Sequence, residues 1–150
     1  MKFVTTILLL AFAVASQATQ IKARDLADLV TDADWILIGT VTNIDMIDFE
    51  GNQVTNELAA TGPGERHVLR LFVKVHEDGI IKSSSSNVPP ALVIDLWTAL
   101  HSTLKFCREE HAGKTCIFML KGSDFQWGDP DFMRELSYRE EIETILEKNR

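Results

Sequence analysis

The stretch WILIGTVTNIDMIDF, residues 35–49, carries β-branched side chains at a density that suits a pleated strand better than a helix. In a strand, alternate residues share a face, so Ile36, Ile38, Thr40, Thr42, Ile44 and Met46 line one side and Trp35, Leu37, Gly39 and Val41 the other. Both sides start apolar and turn polar, the pattern of a strand that begins inside a fold and ends near its edge. Gly39 is the expected site of a bend or bulge, the device that lets a sheet curl.

Working outward, KARDLADLVTDAD, residues 22–34, places Leu26, Leu29, Val30 and Ala33 at helical spacing and predicts a short amphipathic helix leading into that strand. On the other side, residues 50–66 have no period and contain Gly51, Gly62, Pro63 and Gly64, which reads as a long loop. HVLRLFVKVHEDGIIK, residues 67–82, alternates again, with Leu69, Leu71, Val73 and Val75 on one face and Arg70, Phe72, Lys74 and His76 on the other. A polar linker, SSSSNVPP at 83–90, precedes a strand in ALVIDLWTAL, residues 91–100, and CIFMLKG at 116–122 supplies a fourth. Ser137 and Glu140 form an S-x-x-E capping pattern ahead of Tyr138, Ile142, Ile145 and Leu146 at helical spacing, so a C-terminal helix is expected from about Tyr138, its stripe facing the core. The expected fold is mainly β with flanking helices, a small OB-like antiparallel barrel with helices at its N- and C-terminal ends.

Residues 1–18, MKFVTTILLLAFAVASQA, have Lys2, an apolar run from Ile7 to Ala15, and small residues at Ser16 and Ala18. That is the order of a secretory signal peptide, and the run is too short to span a bilayer permanently. Cleavage after Ala18 leaves residues 19–150 as a single domain, exported to the periplasm or beyond. Across the full 150 residues, 22 acidic side chains face 15 basic ones for a formal charge of −7. Such a balance disfavours nucleic acid as a partner, because phosphate neutralisation by Lys and Arg supplies most non-specific affinity. Losing Lys2 makes the exported chain one unit more acidic.

Only two cysteines occur, Cys107 and Cys116, enclosing REEHAGKT. In an oxidising compartment the pair is expected to form a disulfide, worth about 2.5–3 kcal/mol for so short a loop. The alternative, a zinc site completed by His101 and His111, matches no structural zinc spacing, so neither a metal nor a cofactor is expected. No phosphate loop, dinucleotide fingerprint, nucleophile elbow or metalloprotease helix is present. The acids Glu109, Glu110, Asp129, Asp131, Glu140 and Glu141 sit in polar surroundings and read as solvated carboxylates, as do the four histidines His67, His76, His101 and His111 as unremarkable imidazoles. One surface stands out. If strands 67–77 and 91–99 are neighbours, Arg70, Phe72 and Lys74 share an outer face with Val93, Asp95 and Trp97. Cross-strand pairing alone accounts for that pattern, and the functional alternative is a binding surface formed by Arg70, Phe72, Lys74 and Trp97, since aromatic residues and Arg dominate interface hot spots.

The order of pieces also resembles a known group. ADWILIGTV after a short helix, a long loop, LRLFVKV leading to IIK, the VIDLW strand, and Cys107 followed by Gly113-Lys114-Thr115 and CIFML are similar to bacterial exported domains related to the netrin module and the tissue inhibitors of metalloproteinases. The similarity covers about residues 33–121 and implies an OB-like five-stranded barrel. The inhibitors chelate protease zinc through an N-terminal Cys, whereas the exported chain would begin near Thr19, so protease inhibition does not carry over. The expectation is an exported binding domain without catalytic activity, whose partner is a protein or envelope component. The alternative is a small secreted or periplasmic hydrolase whose carboxylates converge only in three dimensions.

Overall fold

The computed structural model describes residues 24–85, 87–96, 101–127 and 129–149. Residues 1–18, where a signal peptide is expected, and Trp97 lie outside the described residues. Element order is α1 (Leu26–Asp32), β1 (Trp35–Asp48), β2 (Ala60–Thr61), β3 (His67–Lys82), β4 (Ala91–Leu96), β5 (Ser102–Thr103), α2 (Leu104–His111), β6 (Thr115–Lys121), β7 (Gln126–Trp127), β8 (Met133–Glu135), a 3-10 turn (Leu136–Tyr138) and α3 (Arg139–Lys148). Strands β4, β3, β1, β6 and β7 form one antiparallel sheet in that order, with β8 also on β6, while β2 and β5 make a separate pair. The fold is therefore mainly β with helices against the sheet. Among the described residues, no helix is long and apolar enough to cross a membrane.

The sheet is not closed into a barrel by backbone pairing. Its end strands, β4 and β7, share no ladder, and side chains tie them instead. The indole Nε1 of Trp127 donates to the Asp95 carbonyl at 2.6 Å, and the Gln126 side-chain oxygen accepts from the Asp95 amide at 3.3 Å. These bonds occupy the outward backbone groups of β4 at Asp95, an edge position that would otherwise offer itself to another strand.

Register shifts in β1 decide which residues face the core. The pairing slips between Val41 and Asn43, placing Thr42 as the extra residue of a bulge. Because one added residue flips every later side chain, Val41, Ile44 and Met46 join Trp35 and Leu37 in the inner core, in contrast to the unbroken alternation expected from the sequence. Gly39 is required where β1 crosses β3: a Cβ there would lie 2.5 Å from Val73 Cγ1 and 3.0 Å from the Lys74 carbonyl oxygen.

Both faces of the sheet are buried at the β1 start. The inner face packs Leu69, Leu71, Val73, Ile94, Phe118 and Leu120 against α2 through Leu104 and Cys107. The outer face buries Ile36, Ile38, Ile117 and Met119 under Leu29 and Val30 of α1 and Ile142 of α3. A fully buried side chain of this size contributes about 1.5–3 kcal/mol over an exposed one. Lys82 Nζ, 3.0 Å from both the Val30 and Thr31 carbonyls, donates to two acceptors that the end of α1 leaves without helical partners, and burial pushes its pKa below the usual lysine value.

Between β5 and β6 the structure adds a helix for which no helical spacing stood out in the sequence, α2, which begins at Leu104 with the Thr103 N-cap hydroxyl accepting the Phe106 amide at 3.2 Å. The Ser137–Glu140 capping box is not made, since Ser137 lies within the 3-10 turn and α3 starts at Arg139 without a side-chain cap. Of its stripe, Ile142 is fully buried and Ile145 and Leu146 are partly so, but Tyr138 is exposed and lies under the Arg134 guanidinium instead.

Candidate functional site

The outer face of the sheet is covered only where α1 and α3 lie. Beyond them, β1, β3 and β4 present an open surface, and its register confirms the strand neighbours expected from the sequence: Arg70 is opposite Asp95, Phe72 opposite Val93, and Lys74 opposite Ala91. Arg70, however, is committed within the fold. It stands opposite Asp45 on β1, and its Nε and terminal nitrogen donate to the two carboxylate oxygens at 2.8 and 2.6 Å. Asp45 is only 7% exposed, so the guanidinium is the partner that keeps a nearly buried carboxylate from standing alone. The same guanidinium lies 5.6 Å from the centre of the Phe72 ring. Of the sequence-nominated surface, Phe72 remains half-exposed beside an exposed Val93, Lys74 points to solvent without an ion-pair partner among the described residues, and Trp97 lies outside them.

Where this face meets α3 there is an open cleft of about 850 Å³. A wide bulge in β3 makes its lip. Leu37 pairs with Ile80 and Gly39 with Val75, so His76, Glu77, Asp78 and Gly79 stand opposite the single residue Ile38. Gly79 permits the return of the strand, since a Cβ would come within 2.7 Å of the Ile38 carbonyl oxygen. Bulges of this kind re-aim side chains at functional surfaces. Here the result is a row of hydrogen bonds on the cleft floor: the His76 Nε2 is 2.9 Å from the Thr40 hydroxyl, itself 2.8 Å from the Thr115 hydroxyl. Leu136 and Arg139 form the opposite wall.

A hydroxyl bonded to an imidazole resembles half of a nucleophilic triad, but no carboxylate orients the other ring nitrogen of His76 among the described residues. The acids singled out in the sequence do not converge either. Glu109 pairs with Lys105 along α2 and Glu110 with Lys114 just beyond its end, Asp131 pairs with Arg134, Asp129 accepts the Asp131 amide, and Glu140 and Glu141 are exposed in the first turn of α3. Among the described residues, no three His, Cys, Asp or Glu side chains gather as a metal site.

Cys107 and Cys116 are separate thiols, not the disulfide expected of a pair in an oxidising compartment. The physical reason is α2. Its inner face carries Cys107 into the core beside Leu104, while Cys116 enters the same core from β6, and each packs as a small apolar side chain. Burial pushes both thiol pKa values up, which keeps them protonated and poorly nucleophilic.

Sequence reasoning missed Thr40, Thr115 and Arg139 as neighbours of His76. The one available signal was Glu77-Asp78-Gly79 inside an otherwise apolar alternation, three residues that strands disfavour. Compared with models of known protein families and with the sequences of characterised proteins, the chain matches none.

Proposed function

We propose that the protein is an exported, non-enzymatic binding domain that receives a protein or envelope component on the uncovered outer face of β1, β3 and β4. The observation that carries the reading is the apolar pair of half-exposed Phe72 and exposed Val93, side by side on adjacent strands and bordered by the uncommitted cation Lys74. Apolar surface ringed by polar groups on a sheet face is a common form of interaction site. The signal-like order of residues 1–18 supports export. Kinship with the netrin-related exported domains is part of the proposal; the order of short helix, long strand, loop and further antiparallel strands supports it, as does the side-chain lacing of β4 to β7.

The test is affinity capture from the native exported fraction with the wild-type chain and with Phe72→Ser and Val93→Ser. The reading requires one reproducible partner whose capture falls at least about tenfold in both variants, as expected for hot-spot residues, while the urea midpoint moves little. Absence of a reproducible partner, or equal capture by the variants, overturns it.

A further inference from the structure

We infer that the cleft between the β3 bulge and α3 binds a small zwitterion with an aliphatic body, of the chemical class of a free amino acid. This goes beyond the partner reading and stands without it, because it needs only the cleft. At about 850 Å³ the cleft lies within the size range of small-molecule sites. Its charged groups are two cations, Lys74 and Arg139, and two anions, Glu77 and Asp78. Among the described residues these cations and anions make no ion pair with one another, and Lys74, Glu77 and Asp78 make none with any other side chain. Arg139 is held by Glu143 through Nε at 2.8 Å, and its terminal nitrogens make no hydrogen bond among the described residues.

That charge pattern discriminates between ligand classes. A simple anion drawn to Lys74 and Arg139 would also meet the carboxylates of the bulge, and a simple cation drawn to Glu77 and Asp78 would meet the two basic side chains. A molecule carrying both charges can set its carboxylate towards Lys74 and Arg139 and its ammonium towards Glu77 and Asp78, and adds no net charge to a lining whose two cations already balance its two anions. The Thr42 hydroxyl, which donates to the Phe72 carbonyl at 3.1 Å, adds an acceptor to the lining. The body of the ligand would lie against Pro90 and beneath Leu136, a side chain that is 44% exposed.

Nuclear magnetic resonance titration of the isotope-labelled chain tests this with three probes: leucine, N-acetyl-leucine, which lacks the ammonium, and leucinamide, which lacks the carboxylate. Leucine should give saturable shifts at Thr40, His76, Gly79 and Arg139, and each analogue should bind about tenfold more weakly, the usual effect of losing one charge-assisted hydrogen bond. Lys74→Gln should weaken leucine without affecting leucinamide, and Asp78→Asn should weaken leucine without affecting N-acetyl-leucine. Both side chains are exposed, so neither change threatens the fold. Equal binding of leucine and its analogues would overturn the zwitterion while keeping a cleft ligand, and the absence of saturable shifts with all three would overturn the site itself.

Discussion

Removing the Arg70 guanidinium provides the sharpest test of how the outer face is built. Arg70→Met keeps most of the side-chain stem but strips both hydrogen bonds from Asp45, at 2.8 and 2.6 Å, and leaves a carboxylate that is 7% exposed without its counter-ion. Breaking a fully buried pair costs about 3–5 kcal/mol. The Arg70 side chain is itself 30% exposed, so water reaches one end of the pair and the expected loss is smaller, about 2 kcal/mol. With a urea dependence of about 2 kcal/mol per molar for a domain of this size, the midpoint should fall by about 1 M. Asp45→Leu in the same background should restore most of that loss, because an apolar pair no longer leaves a charge unpaired. Equilibrium urea denaturation followed by tryptophan fluorescence would measure the cycle. A loss below about 0.5 kcal/mol in Arg70→Met, or a double variant as unstable as the sum of the singles, would refute the assignment of Arg70 to Asp45 and return it to the solvent-facing surface.

Four further outcomes follow from particular contacts. Gly39→Ala should destabilise by about 1–3 kcal/mol, since the new methyl meets Val73 and the Lys74 carbonyl and overpacked cores lose stability on that scale; a neutral result in thermal unfolding would mean that β1 and β3 cross less closely. Trp127→Phe keeps the ring near Phe132 but deletes the donor to Asp95, and should cost about 1 kcal/mol and raise hydrogen exchange at Asp95. Burial holds the His111 pKa below its ordinary 6.5, so the unfolded chain takes up a proton first as pH falls. Stability from this group is therefore complete above about pH 6.5 and declines below it, and His111→Gln should flatten that decline in urea midpoints measured across the window. Cys107 and Cys116 should resist alkylation in the native state at neutral pH and react together on unfolding, which mass spectrometry would show; fast native labelling, or a mass lowered by one pair of hydrogens, would contradict two buried free thiols.

Much of the β framework was legible because it depends on short-range periodicity. The runs at 35–49 and 116–122 are dense in apolar and β-branched residues and the run at 67–82 alternates, enough to declare strands, and the Leu29–Val30 and Ile142–Ile145 spacings declare the two flanking helices. Helix α2 was obscured because half of LKFCREEH is charged and its apolar positions are few, although Thr103 gave it a capping residue. The short strands β2, β5, β7 and β8 are two or three residues long, too short for any period to register, and exist only because a neighbouring strand accepts them.

The candidate site divides along the same line. Phe72, Val93 and Lys74 could be placed on one face from alternation alone, since facing is a local property of each strand. That Arg70 belongs to Asp45 depends on the bulge at Thr42, which set Asp45 opposite it; without that slip the aspartate would point to the core. The cleft needed the β3 bulge, the placement of α3 and the close return of Gly79, which together bring residues 40, 76, 115 and 139 to one place.

By itself, then, the sequence determined strand character, the flanking helices, the acidic balance and the signal-like order of the first eighteen residues, because each depends on composition or on neighbours within a few positions. Only the tertiary structure decided that the sheet stays open, that the two thiols pack apart, and that a cleft of mixed charge lies beside α3. Those outcomes depend on register and on which distant backbones approach, and a residue's own identity specifies neither.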